Sequence, residues 1–104
     1  MENEQKIKLT NLIKNSSGTE FQKAVWLALL EIHKGQVLTY KQLAEFIGKP
    51  KAVRAVANAV GANPFSPIVP CHRVVAQNRK LGGYSGEGGI DTKRRLLNEE
   101  GVQI

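Results

Sequence analysis

One cysteine stands among 104 residues, and that scarcity removes several classes of protein at once. A lone thiol cannot close an intrachain disulfide, and with only two histidines beside it no structural zinc site is expected. No long apolar run occurs, so neither a secretory signal nor a membrane span is expected. A reducing intracellular setting, which keeps a reactive thiol free, is the expectation that follows. Repeats, low-complexity tracts and interdomain linkers are missing too. Acids are scarce: nine Asp and Glu face 15 Lys and Arg, leaving a net charge of +6. That excess suits either a polyanionic partner, nucleic acid being the commonest, or an inert basic surface. The remainder, 41% hydrophobic and 23% charged, is an ordinary globular balance for one small, marginally stable domain.

Residues 1–17 read as a polar lead-in ending in Asn15-Ser16-Ser17-Gly18, with Ile7, Leu9, Leu12 and Ile13 compatible with a short strand or a helical turn. The domain proper is expected over 18–104. Its first helix starts near Thr19, which forms a capping box with Gln22. Phe21, Val25, Ala28, Leu29 and Ile32 share one face, His33 and Lys34 suit the negative helix end, and Gly35 can stop it. Trp26 lies inside this apolar stretch and reads as core rather than as a stacking platform.

Thr39 and Gln42 repeat the capping-box spacing for a second helix that buries Leu43, Ala44 and Ile47 and ends at Gly48. Pro50 is suited to open a third, with Val53, Val56 and Val60 inward and Lys51, Arg54 and Asn58 opposite. Two short helices joined by a tight Gly-containing turn make a helix-turn-helix, although an ordinary helical hairpin has the same pattern. Three prolines between Gly61 and Pro70 exclude a helix and give a stiff loop leading into Cys71-His72-Arg73. Val74-Val75 and Leu81–Tyr84 are suited to pair as a basic hairpin around Gln77–Lys80, similar to the wing of a winged helix. Asp91 is the expected cap of a last helix that turns Leu96 and Leu97 inward, pairs Arg95 with Glu99, and stops at Gly101. The fold class read from these elements is mainly α: a small winged helix-turn-helix-like domain with a short β-hairpin.

A single cysteine is most often a small buried hydrophobe. Cys71 differs in its setting, after a proline-stiffened loop and before two basic-capable residues. The thiolate is the nucleophile, and nearby positive charge or a base favours it. His72 is suited to take the thiol proton directly or through water, and Glu99 or Glu100 to orient the imidazole.

Pro70-Cys71-His72-Arg73-Val74 resembles the active-site motif of O6-alkylguanine-DNA alkyltransferases. Gly18-Thr19-Glu20-Phe21-Gln22 with Val25-Trp26 is similar to that family's first domain helix. Thr39-Tyr40 and Leu43-Ala44 are similar to its helix-turn-helix opening, and Pro50-Lys51-Ala52 with Arg54-Ala55-Val56 to its recognition helix. Asn63-Pro64, Gly83-Tyr84-Ser85-Gly86, Lys93, Leu96-Leu97 and Glu100-Gly101 fall in register, so the resemblance spans 18–101. Full-length members carry a further N-terminal domain for which this chain has no room, and the Ser85–Asp91 loop is slightly longer than in some members.

The resemblance implies single-turnover transfer of an alkyl group from O6 of a damaged guanine to Cys71, with no cofactor and no metal. It gives His72 the thiol proton through a water, Glu100 the orientation of His72, and Tyr40 the donor to the departing base. It also implies that Asn63 braces the turn presenting Cys71 and that Ser85 lies near O6. Arg54 would fill the stack left by a flipped nucleotide, or else contact a phosphate. Tyr84, Lys93, Arg73 and Asn58 complete the expected substrate- and DNA-contacting set. The implied partner is double-stranded DNA carrying O6-alkylguanine, bound through the minor groove by a monomer. Small residues on the recognition helix, Ala55, Ala57, Ala59 and Gly61, suit a close approach to the sugar-phosphate edge. The competing readings are an alkyltransferase-like sensor that binds damage without transfer, a branch lacking the acceptor cysteine, and a winged-helix regulator without chemistry. The regulator leaves Pro-Cys-His-Arg, Tyr40, Asn63 and Glu100 unexplained.

Overall fold

The computed structural model describes residues 2–77, 80–84 and 86–104. Five helices and one two-stranded sheet make a winged helix-turn-helix-like domain. The first segment is a full helix, α1 (Asn3–Lys14), rather than a strand or single turn. Leu9 and Ile13, four apart, share the face that packs on the next helix and are buried.

The Thr19 capping box is present at the head of α2 (Glu20–Leu29): Gln22 N–H donates to Thr19 Oγ1 and Thr19 N–H to Gln22 Oε1. This helix ends at Leu29, short of Gly35. The amides of Leu30, Glu31 and Ile32 donate three residues back, so the chain tightens and turns Ile32 into the core. Gly35, at φ +88°, serves a separate turn closed by Gln36 N–H on His33 O. Trp26 is a core residue: its Nε1 donates to Ala59 O at 2.8 Å, and Phe65 meets its ring edge-on at 6.2 Å.

Thr39 caps α3 (Tyr40–Phe46) with the second complete box, and Gly48 leaves the helix at φ +77°. The recognition-type helix α4 (Val53–Gly61) begins three residues after Pro50, which does not open it. Ala52 N–H donates to Lys49 O, so Pro50 occupies the second position of a β-turn, where its fixed φ is equally at home. Val56, Ala59 and Val60 face the core. Ala59 is therefore unavailable as an outer small residue.

The expected hairpin is corrected in its pairing. Strand β2 (Val74–Val75) lies parallel to β1 (Leu38–Thr39), with Leu38 opposite Val74 and Thr39 opposite Val75. Residues 81–84 form no strand, and among the described residues the backbone bond across the return is Ala76 N–H on Lys80 O. The cause is a side chain. Lys93 Nζ takes the carbonyls of both Val74 and Gly83, which a ladder would have paired with amides. Asn78 and Arg79, at the expected tip, lie outside the described residues.

Helix α5 (Gly89–Glu99) is preceded by Gly88 at φ +86°, not capped by Asp91. Asp91 sits exposed inside the first turn, where its charge still suits the positive helix end. Leu97 is fully buried, Leu96 half-buried, and Arg95 meets Glu99 at 2.9 Å.

Because both orphan amides at the head of α3 rest on Thr39 and Gln42, Thr39→Ala is expected to cost about 1 kcal/mol of stability. Urea denaturation checks this; an unchanged midpoint would show that packing alone holds the helix-turn-helix.

Candidate active site

The loop from Ala62 to Pro70 is held from within. Asn63 is buried; its Nδ2 donates to Val69 O at 2.8 Å and its Oδ1 accepts from Phe65 N–H at 2.9 Å. One amide thus ties both ends of the turn that delivers Cys71, a geometry suited to bracing it. Cys71 opens a short 3₁₀ turn (Cys71–Arg73) and is only 4% exposed. It lines a pocket of about 470 Å³ walled by Tyr40, Asn58 and Tyr84, with small residues Ala57, Gly61 and Gly83 keeping it open. Gly82, beside Gly83 in the chain, packs against Tyr40. At φ +69° it passes so close to Tyr40 that an added Cβ would meet the phenol oxygen at 3.0 Å.

Next to Cys71 in the chain, His72 is 3% exposed and its Nε2 lies 3.0 Å from Glu100 Oε2. Arg73 grips the same carboxylate at both oxygens, Nε to Oε1 at 2.9 Å and Nη2 to Oε2 at 2.8 Å, while Nη1 donates to Ile32 O at 2.7 Å. Burial pulls Glu100 upward, but the hydrogen bonds from Arg73 and His72 outweigh it and hold the carboxyl below its ordinary range. Burial also pushes His72 below its ordinary value, against the pull of Glu100 and with help from Arg73 and Lys93. The imidazole is then neutral at pH 7. With Glu100 ionised, Nε2–H is the donor, and Nδ1 carries the lone pair. Nδ1 is buried and has no hydrogen-bond partner among the described residues. Tyr40 is raised by burial and by Cys71, so its phenol stays protonated and able to donate.

Lys93 is fully buried on α5, with its ammonium 2.7 Å from Val74 O, 3.0 Å from Gly83 O and 5.9 Å from the Tyr40 ring centre. Burial pushes it down to about 8, with Cys71 pulling the other way.

The structure therefore brings Tyr40, Asn58, Cys71 and Tyr84 to one pocket and places Asn63, His72, Glu100 and Lys93 around it. Arg54 is exposed on α4, away from the core face. Two expected nucleic-acid contacts are turned inward: Arg73 is spent on Glu100 and Ile32, and Lys93 on two carbonyls. A charge with so few exposed atoms reaches internal acceptors first. Ser85 lies outside the described residues. Sequence reading missed Ser66, whose Oγ meets Tyr84 OH at 2.6 Å, and the carbonyl of Ile32; both pairings are remote in sequence and leave no local signal. Among the described residues no group of three or more His, Cys, Asp or Glu could hold a metal ion, and no helix is long and apolar enough to cross a membrane.

A helix-turn-helix whose second helix walls a pocket containing a thiol, with a bonded histidine–glutamate pair at the next residue, defines a nucleic-acid-binding type of domain that carries a cysteine in its pocket. The chain belongs to the 6-O-methylguanine DNA methyltransferase family, whose DNA binding domain matches residues 20–102. A methylated-DNA–protein-cysteine methyltransferase of Haemophilus influenzae is 48% identical over 93 residues, covering 89% of this chain and 51% of that protein. A probable counterpart from Acanthamoeba polyphaga mimivirus is 55% identical over 91 residues, covering 88% and 59%. The chain thus spans little more than half the length of these relatives. Among solved structures, Mycobacterium tuberculosis OGT in complex with DNA superposes with a TM-score of 0.76 at 52% identity, covering 80% of this chain and 50% of that one. S. pombe Atl1, in complex with damaged DNA containing O6-carboxymethylguanine, superposes at 0.66 and 32% identity, covering 86% and 82%.

The unfolded chain keeps a lysine protonated to about 10.4, whereas Lys93 in the fold lets go at about 8. Between those values the unfolded state binds more protons, so this residue's contribution to stability rises with pH. Urea denaturation of wild type and Lys93→Met is expected to show wild type gaining about 2 kcal/mol on the variant between pH 7 and pH 9.5. A pH-independent difference would mean that the ammonium titrates normally.

Proposed function

We propose that this chain transfers an alkyl group, methyl above all, from O6 of guanine in DNA to Cys71 Sγ, once per molecule. The observation that carries this reading is a lone thiol opening onto a pocket walled by the second helix of a helix-turn-helix, followed in the chain by a neutral histidine bonded to an ionised glutamate. The thiol gives its proton, through a water, to His72 Nδ1, and Glu100 holds the resulting imidazolium at Nε2. Sγ then forms a bond to the alkyl carbon as the carbon–O6 bond breaks, and the electron pair stays with the guanine. Tyr40 donates a proton to the departing base, which makes guanine an adequate leaving group. The thioether has no second thiol in this chain to restore it, so the protein acts once.

The target carbon is stacked inside a duplex, so the nucleotide must leave the stack to reach Cys71. Arg54, exposed on α4, is suited to fill the gap, and Ala55, Ala57 and Gly61 suit a close minor-groove approach by a monomer. Asn58, Tyr84 and Ser85 complete the pocket's contacts with the base and its backbone. Residues 18–104 form the reacting domain and 1–17 its lead-in, and a reducing intracellular compartment keeps Cys71 free. The likeness to OGT bound to DNA supports the duplex as partner.

Mixing the protein with a duplex carrying one O6-methylguanine is expected to add one methyl group to Cys71 at a stoichiometry near one, read by intact mass and peptide mapping. Complete DNA binding with unchanged mass would sink transfer and favour a damage sensor, a reading to which the likeness to Atl1 gives weight. Cys71→Ser is expected to keep duplex affinity, which phosphate contacts dominate, and to lose transfer.

Arg54→Ala is expected to slow transfer from duplex DNA strongly at saturating protein, and from free alkylated base much less. Normal saturated transfer with weakened binding to every duplex would reduce Arg54 to a phosphate contact.

A further inference from the structure

We propose that Arg73 is a positioning residue for the thiol's base: it clamps Glu100 in one orientation and sets its positive charge on the carboxylate oxygen that His72 uses. The inference rests on the proton route just described. Three observations carry it.

The first is geometric. Arg73 meets both oxygens of Glu100 in a bidentate fork at 2.8–2.9 Å, and that fork fixes the plane of the carboxylate. Oε2 is shared, accepting from Arg73 Nη2 at 2.8 Å and lying 3.0 Å from His72 Nε2. The imidazole can therefore bond Glu100 only along the direction that the guanidinium leaves open. Glu100 alone, at the end of α5, would be free to rotate.

The second is the anchor of the clamp itself. Nη1 donates to Ile32 O at 2.7 Å, just past the tightened end of α2. Arg73 thus joins the end of α2, the 3₁₀ turn and the end of α5 in one set of bonds. Only a planar, multi-donor cation does this; an ammonium presents a point charge without the fork.

The third is electrostatic. The charged groups facing His72 are Glu100, which raises its proton affinity, and Arg73 and Lys93, which lower it. Arg73 also draws on the oxygen that His72 uses. A histidine paired with an unshared carboxylate would be protonated at higher pH and would have no lone pair for the thiol proton. The arginine keeps the base neutral and the carboxylate aligned at the same time.

The test separates charge from grip. The tautomer and titration of His72 are read by nitrogen-detected NMR of its imidazole, with exposed His33 as an internal reference. Single-turnover transfer from a methylated duplex is measured on the same samples, and thermal unfolding reports the fold. Arg73→Gln removes the cation and is expected to raise the His72 midpoint. The acid limb of transfer should move up with it, so that the loss is greater at pH 6 than at pH 8. Arg73→Lys keeps a charge without the fork; it is expected to leave the midpoint nearly in place and slow transfer severalfold at every pH. A folded Arg73→Gln with an unmoved midpoint overturns the electrostatic half. Wild-type transfer by Arg73→Lys overturns the positioning half. Should Arg73→Gln fail to fold, the Lys variant decides positioning, and Arg73→Met, which keeps the apolar stem, decides charge. Wild-type protein that transfers nothing refutes the proposed function instead, and the NMR titration still tests the clamp.

Discussion

A full ammonium buried without exposed surface dictates much of the domain's shape. Among the described residues Lys93 bonds no carboxylate; its ammonium donates to the carbonyls of Val74 and Gly83. An unmatched buried charge is among the costliest defects a protein can hold, so those two carbonyls must stay converged. Their convergence draws the segment after β2 across α5 and away from a hairpin. It places Gly83 on the pocket wall and leaves β2 to pair with β1, the strand that leads directly into α3. The helix-turn-helix and the thiol turn are thereby locked in one register: Tyr40 follows directly on β1, and Cys71–Arg73 precede β2.

The site uses charge economically. Arg73, Lys93 and Glu100 surround a neutral imidazole and a thiol, and each charge has an internal partner within hydrogen-bond distance. Such a site is preorganised: little has to turn when a proton leaves Cys71. The net positive charge of the chain lies elsewhere, on exposed residues such as Lys41, Lys49, Lys51 and Arg54 around the helix-turn-helix. The exposed cations and the internally bonded ones are thus separate sets.

Local signals in the sequence carried over well. Both capping boxes, the buried faces of α2, α3 and α4, the core place of Trp26 and the non-helical proline loop are decided by residues within a few positions of one another. The errors lie where a distant group intervenes or where one residue has two good uses. Pro50 suits a helix start and a turn equally; Asp91 suits a cap and a first turn equally. The hairpin failed because Lys93, far along the chain, takes the carbonyls it needed. Resemblance put Arg73 and Lys93 among the substrate- and DNA-contacting residues, and nothing near them in sequence shows the internal acceptors that they meet in the fold. His72 and Glu100 could be paired by resemblance, but spacing alone left Glu99 equally eligible.

The clamp on Glu100 joins parts of the chain that are made at different times. Arg73 lies 41 residues after Ile32 and 27 before Glu100, the two groups that fix it. A ribosome therefore delivers the helix-turn-helix and Cys71 well before the carboxylate that aligns His72. During synthesis the thiol emerges without its aligned base, and the base is assembled only when α5 docks. Synthesis order thus leaves His72 and Arg73 without their carboxylate partner until the last helix has emerged.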